Sequence, residues 1–467
     1  MRAPIIALAA FLTLPTGAAI LAVPTGAEAQ SLADTLVTAY RNSPDLASAR
    51  ASVKIQSENA VQARSQGRPT ISGTASLEVE FDDFNEVVLP NTLALQLTQQ
   101  LYTGGQIRNS TLAAETRITA EQSRLTAVEQ SVLLEALTAH LNVLRDASFV
   151  DLGIKNLRVL SEQLRAARER FEVGEVTRTD VEQARAATAA SRSSLAASRG
   201  ALVASRESYL RAVGRPAGDL QRTPPLPDVP ATVSEAVGLG LVQDPALRAA
   251  RIDREAAGYD VKTAIGALLP QLALTAQASR SDILRDDDFL GDSVPAQTSG
   301  SVGLTLTLPF YTGGFNYSNV RETQALVEAA VADITSAERT VVENIGSAYA
   351  ALDVARASIE AGTLEVEAAR LAFEGVQEEA KVGARTTLDV LDAEADVLEA
   401  ESDLVAARRD EAIAIYSILA SIGMLTVDHL GLEVVPDRGQ GYYDEVRERL
   451  FGYDASEDTV WTTRWRP

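Results

Sequence analysis

From Ser31 to Gln66 apolar positions recur at helical spacing, and Pro69 ends the run. The period then falls to two. Ile71, Gly73, Ala75, Leu77, Val79 and Phe81 alternate with Ser72, Thr74, Ser76, Glu78 and Glu80, and Leu93, Leu95 and Leu97 alternate with Ala94, Gln96 and Thr98. This predicts a β-hairpin over 70–102 with one apolar and one polar face. Between Gly105 and Gly174 there is no proline, so the chain can run as one helix. At about 1.5 Å per residue it would span roughly 100 Å, too long for a globular core but suited to a tube or coiled coil. Beyond Val173-Gly174 the chain returns in heptads, Val181, Thr188, Leu195, Leu202 and Tyr209, each followed three residues later by a small residue. A seven-residue apolar period makes a left-handed coiled coil, and small residues along the seam allow close approach.

The pattern is written twice. Leu101-Tyr102-Thr103-Gly104-Gly105 returns as Phe310-Tyr311-Thr312-Gly313-Gly314, and Val173-Gly174 and Asp180-Val181 return at the same offset as Val382-Gly383 and Asp389-Val390. Upstream, Ser43-Pro44-Asp45-Leu46 matches Asp244-Pro245-Ala246-Leu247 at a slightly shorter offset, so the second copy carries an insertion between Pro270 and Tyr311. Leu272, Leu274 and Ala276 begin the second hairpin, over 271–311. Val302, Leu304, Leu306, Leu308 and Phe310 end it. The second returning helix repeats the first stripe as Val390, Val397, Leu404, Glu411 and Ile418 and adds another, Leu391, Leu398 and Val405. Seams toward two neighbours suit a stave in a barrel of helices; an ordinary four-helix bundle is the plainer alternative. The expected division is a leader at 1–29, a first repeat at 30–223, a second at 224–427 joined through Pro224-Pro225-Leu226-Pro227, and an acidic tail at 428–467.

Strands of about ten residues with one apolar face have the length and pattern of outer-membrane barrel strands, although a soluble half-buried sheet shares the pattern. Two hairpins supply four strands, too few to close a barrel. Lipid tolerates no open sheet edge, so membrane-crossing strands here require several chains in one barrel.

Composition narrows the chemistry. Net charge is −22, which argues against a nucleic-acid partner. There is no cysteine, which excludes disulfides, thiolate metal sites, cysteine nucleophiles and a lipidated N-terminal cysteine. The two histidines, His140 and His429, have no ligand neighbours in sequence and read as structural. No nucleophile elbow, phosphate loop or zinc-protease motif is present, so no enzyme and no cofactor is expected. Arg2, the apolar run from Ile5 to Val23 and Ala27-Glu28-Ala29 before Gln30 read as a secretory signal peptide, with a retained anchor as the competing reading. Asp82 and Asp83, and Asp286, Asp287 and Asp288, fall at hairpin tips and read as solvated loops rather than a calcium site. The tail, with Tyr442, Tyr443, Trp461 and Trp465, lies outside the repeat and has no assigned role.

The duplicated unit, the Tyr-Thr-Gly-Gly elements and the stretch from Val382-Gly383-Ala384-Arg385-Thr386-Thr387 through Leu388-Asp389-Val390-Leu391-Asp392-Ala393 resemble the TolC family of outer-membrane channel proteins. The similarity runs from about Ser31 to Leu425. The resemblance implies a mostly α fold with membrane β: a homotrimer whose strands form one transmembrane β-barrel in outer-membrane lipid, continuous with a long-helix α-barrel across the periplasm. It implies a periplasmic adaptor (membrane fusion) protein and an inner-membrane transporter, ABC or proton-driven, as partners, and an export role with a lean toward type I protein secretion. Carried onto this chain, it places Gly174 and Gly383 at periplasmic tips and Asp389 and Asp392 as acidic rings at the aperture. Arg385 becomes a gate lock engaging Thr179 and Asp180. Tyr102, Gly104, Gly105, Tyr311, Gly313 and Gly314 fall at the strand–helix junctions. Ala380 stands where the family pattern expects a tyrosine, removing one contact of the lock. A non-conducting periplasmic coiled-coil adaptor or scaffold is the alternative, and it has no need of four strands with a lipid-compatible face.

Overall fold

The computed structural model describes residues 30–81, 87–221, 226–285 and 296–452. The leader at 1–29, the tip acids Asp82, Asp83, Asp286, Asp287 and Asp288, the Pro224-Pro225 joint, and Trp461 and Trp465 lie outside the described residues.

Each repeat opens with two helices where the sequence pattern suggested one. α1 (Leu32–Asn42) stops at Ser43, whose hydroxyl accepts from the Leu46 N–H to cap α2 (Pro44–Ser65). Pro44 has no N–H to give and restricts the residue before it, so it breaks the run and starts the next helix at its first position. The second repeat does the same with α5 (Val233–Gln243), Asp244 as cap, and α6 (Pro245–Gly266).

The strands are β1 (Thr70–Leu77), the short β2 (Glu80–Phe81), β3 (Val87–Tyr102), β4 (Gln271–Arg285) and β5 (Gln297–Thr307). They form one antiparallel sheet in the order β1-β3-β4-β5, with β2 extending β1 along β3. The two hairpins thus join through β3 and β4. β5 stops at Thr307, short of the Phe310 that alternation suggested. Pro309 cannot donate to a ladder, and the Phe310 N–H turns back to the Leu308 carbonyl. Register puts one kind of residue on each face. Ile71, Leu97, Ala276 and Val302 lie abreast, as do Gly73, Leu95, Ala278 and Gly300; on the other face Ser72, Gln96, Gln277 and Ser301 lie abreast. The apolar face is bare: Ile71 is 72% exposed, Leu95 60% and Val302 77%.

Below the sheet run α3 (Gln106–Glu172) and α7 (Phe315–Lys381), each 67 residues long, which turn at their lower ends into α4 (Arg178–Val213) and α8 (Thr387–Ser421). The first repeat therefore ends in an α3/α4 coiled coil and the second in an α7/α8 coiled coil. α8 lies in the groove of the first: Leu391 packs with Leu160, Leu164, Ala167 and Ala184, and Arg409 donates to Asn142 Oδ1 at 2.7 and 3.0 Å. The main core sits higher, where Leu36, Leu133, Leu137, Tyr209, Ile345, Leu352, Ile418 and Leu425 are buried together. There the Thr35 hydroxyl lies 3.0 Å from both His140 Nδ1 and the Tyr209 hydroxyl, and burial holds His140 below its ordinary pKa.

The tail runs back to the first repeat. Buried Glu129 of α3 accepts from the Val427 N–H at 2.8 Å, and burial pushes its carboxyl up. Asp437 N–H donates to the Tyr40 hydroxyl, Tyr442 and Tyr443 donate to Glu58 and Glu115, and Arg68 donates to the Arg447 carbonyl. The short helix α9 (Gln440–Val446) lies on α2.

Candidate functional site

The candidate site is the pair of lower tips with the helical faces above them. Gly174 and Gly383 both adopt φ +80, the left-handed conformation that ends a helix without steric cost only in glycine. A Cβ on either would meet nothing, so the demand comes from the backbone turn alone. An ion pair straddles each turn. Arg170 Nε lies 3.1 Å from Glu175 in the first repeat, and Arg385 Nε lies 2.8 Å from Glu379 in the second. The sequence reading missed these pairs, although opposite charges flanking each Val-Gly turn were the available signal.

Asp180 and Asp389, equivalent in the two repeats, occupy the third position of capping boxes. Asp180 Oδ2 accepts from the Thr177 N–H at 2.8 Å and from its hydroxyl at 2.7 Å, while the Thr177 hydroxyl caps the Asp180 N–H. Asp389 makes the same bonds with Thr386, at 2.8 Å each, and Thr386 returns one at 3.2 Å. The Thr177 hydroxyl and N–H hold Asp180 below the ordinary carboxylate range; at Asp389 the Thr386 N–H leads, then its hydroxyl, with Arg385 adding. Both acids thus start a helix, a task that the Thr-x-x-Asp spacing announces. The Glu379 carboxylate pushes the Arg385 guanidinium up, so it stays charged. Within the chain Arg385 bonds Glu379, and it is not brought together with Thr179, which is exposed, or Asp180. Ala380 is buried near the foot of α7.

Asp392 is exposed one turn above Asp389. Asp396, Glu399, Asp403 and Asp410 continue upward at intervals of three, four or seven residues, extending the two expected acids into a ladder along one side of α8. Glu394, on another side, is buried; desolvation and then the charge of Glu401 raise its pKa to about 7.

At the upper end Gly104 and Gly105, and Gly313 and Gly314, all have positive φ, and Gly105 and Gly314 cap the long helices. A Cβ on Gly104 would fall 2.3 Å from the Gly266 carbonyl oxygen and 2.7 Å from Leu269 Cβ, whereas Gly313 has open space. Tyr102, Phe310 and Tyr311 are exposed beside them. Among the described residues no group of histidine, cysteine or carboxylate side chains could hold a metal.

A two-faced sheet on paired long helices is the fold of outer-membrane channel proteins. The solved structure of CusC superposes with a TM-score of 0.75 at 17% identity, over 84% of this chain and 92% of that one. The sequence carries the relationship further. The model of the family described as outer membrane efflux protein matches residues 35–215 and 237–424, and the chain belongs to that family. It is 36% identical to the outer membrane efflux protein BepC of Brucella suis, over 91% of this chain and 92% of that protein. It is 26% identical to the outer membrane protein TolC of Escherichia coli, over 86% and 84%. The family is one of transport proteins, not enzymes.

Proposed function

We propose that three copies of this chain form an outer-membrane duct, the exit of an export system completed by a periplasmic adaptor and an inner-membrane transporter. The observation that carries this reading is the sheet. Its apolar face is exposed on β1, β3 and β5 and half-buried on β4, and among the described residues β1 and β5 each leave one edge unpaired. Lipid can cover such a face, but only sister strands can satisfy such edges. The burial of the long helices agrees. α3 is covered by α6 and α8 of the second repeat, while its counterpart α7 leaves Leu326, Val354, Leu364 and Leu371 exposed, as a stave missing one neighbour would.

In this reading Gly174 and Gly383 turn the hairpins at the periplasmic mouth, and Asp389 and Asp392 of each copy surround it. Closure comes from Arg385 leaving or sharing Glu379 to engage Thr179 and Asp180 on an adjacent hairpin, a charge-assisted contact. Cargo in this family position includes secreted protein and small molecules, with protein secretion favoured by the stretch from Val382 to Ala393. A non-conducting adaptor would have no use for the two-faced sheet.

The test is reconstitution of purified protein into planar bilayers, beside fractionation of expressing cells. A detergent-requiring oligomer in the outer membrane with discrete conductance steps is expected, and Arg385→Ala raises the conductance of each step. A protein released with the soluble periplasm, or bilayers with no steps, overturns the duct. Unchanged conductance in Arg385→Ala removes the lock alone.

A further inference from the structure

The two coiled coils have the same length and turn but opposite charge. α4 holds six arginines against three acids, whereas α8 holds nine acids against two arginines. The arginines of α4 include a heptad ladder, Arg185, Arg192, Arg199 and Arg206, all exposed. Arg185 lies 3.6 Å from Glu182 of its own helix; the other three side chains have no hydrogen-bond or ion-pair partner within the described chain. A second heptad ladder runs along α7: Asp353, Glu360, Glu367 and Glu374, again exposed and again unpaired.

The internal repeat says where a second copy of α4 must lie. Inside the chain, α8 seats Leu391, Leu398 and Arg409 in the groove of the α3/α4 coil, against Leu160, Asn156 and Asn142. Moving each residue to its counterpart in the other repeat converts this contact into one between chains. Glu182, Ala189 and Gly200 of one copy then face Ala369, Glu365 and Ala351 of the next. The α7/α8 coil carries that receiving groove, about 1060 Å³ lined by Ala351, Ser358, Ala361 and Glu365 of α7 and Ala406 and Asp410 of α8. At its upper end the buried Gln130 keeps an Nε2 with no partner. Gly200 and the alanines around it make α4 slim enough to enter.

With α4 in that groove, the two ladders meet at its rim. Arg185, Arg192 and Arg199 each immediately precede Ala186, Ser193 and Gly200 on the entering face, and Asp353, Glu360 and Glu367 each immediately precede Val354, Ala361 and Ala368 of the receiving face. On that register Glu182, eight residues from Gly174, faces Ala369, fourteen from Gly383, so Arg185 at eleven meets Glu367 at sixteen, Arg192 meets Glu360 and Arg199 meets Asp353. Both repeat every seven residues, so arginine meets acid at each rung.

We propose that these ladders form an electrostatic seam between adjacent copies, the arginines of one α4 pairing with the acids of the next copy's α7. This rests on the several-chain reading above and adds the residues that choose the neighbour. The seam sets register more than strength, because exposed pairs are individually weak. A wrong ring, with two α7/α8 coils side by side, would set acid against acid.

The cysteine-free chain makes the test direct. Arg192→Cys with Glu360→Cys is expected to give covalent oligomers with a short bismaleimide, while Arg192→Cys with Gly375→Cys, fifteen residues lower on α7, is not. Arg192→Glu together with Arg199→Glu lowers the oligomer fraction at least severalfold at low salt, and adding Glu360→Arg and Asp353→Arg restores it. If the wild-type chain is a monomer in detergent, the several-chain reading fails and takes the seam with it. If the wild type is oligomeric but the first cysteine pair stays uncrosslinked and the reversals leave assembly unchanged, the seam alone is overturned. It is equally overturned if the reversals spare assembly and abolish only the binding of a separate adaptor protein, since the arginines would then serve that partner.

Discussion

Glu394 is the residue whose ionisation costs the fold most visibly. It is buried on α8 with Glu401 nearby, and its carboxyl titrates near pH 7 instead of 4.5. Because the folded state holds its proton more tightly than the unfolded state, the α7/α8 coil loses stability as pH rises from about 4.5 to about 7. Glu394→Gln keeps the shape and removes the charge, so it should abolish that slope and slow amide hydrogen exchange in α8 at pH 8. Exchange that is the same in variant and wild type at both pH 5 and pH 8 would show that Glu394 is not the titrating group. The opposite shift operates at the hairpin starts. Asp180 and Asp389 are held as anions by their threonine partners, a contribution present above the ordinary carboxylate range and lost only as pH falls through their depressed values. One hairpin therefore contains a carboxylate that resists protonation and another that invites it.

At the scale of elements, the strand-to-helix joints separate backbone need from close approach. Gly104 and Gly313 share the same left-handed conformation, but only Gly104 is pressed against another element. Gly104→Ala should therefore cost more than Gly313→Ala in the isolated chain: about 1–2 kcal/mol of backbone strain in each, with the collision against the Gly266 carbonyl added at Gly104. Thermal unfolding of the two variants in detergent measures this, and equal losses would mean that α6 moves aside freely. The same joints show what the sequence made legible. Paired glycines after Tyr102 and Tyr311, the switch of apolar period from two to seven, and the repeat offset placed hairpins and long helices correctly, because each depends on local pattern. The break at Ser43-Pro44 went unread, since the apolar pattern continues across it and only the missing proline N–H interrupts the helix. The capping role of Asp180 and Asp389 was hidden behind a more specific expectation for the same residues. The place of the tail was not legible, because residues 428–452 have no periodicity and gain their positions from single contacts with distant side chains such as Tyr40, Glu58 and Glu115.

For the whole molecule, the acidic side of α8 is the feature with the largest reach. If its lower end faces the lumen, each copy contributes Asp389 and Asp392 to one wall, where like charges around a narrow passage favour cations, while Asp396, Glu399 and Asp403 line the groove that takes the next copy's α4. Asp389→Asn with Asp392→Asn should lower the cation-to-anion permeability ratio in a salt gradient, and adding Asp396→Asn and Asp403→Asn should leave it there. A ratio lowered further by the second pair would place those two acids on the conducting path and out of the groove. The tail carries a different implication. Tyr40, Glu58, Glu115 and Glu129, all in the first repeat, find their partners among residues 427–443. A ribosome makes those partners roughly 300 to 400 residues after the helices they hold, so these first-repeat helices wait for that later stretch before they are fastened. Until then the first-repeat surface is unfinished, and the segment after α8 acts in this sense as a clasp that times when a newly made chain is ready for assembly.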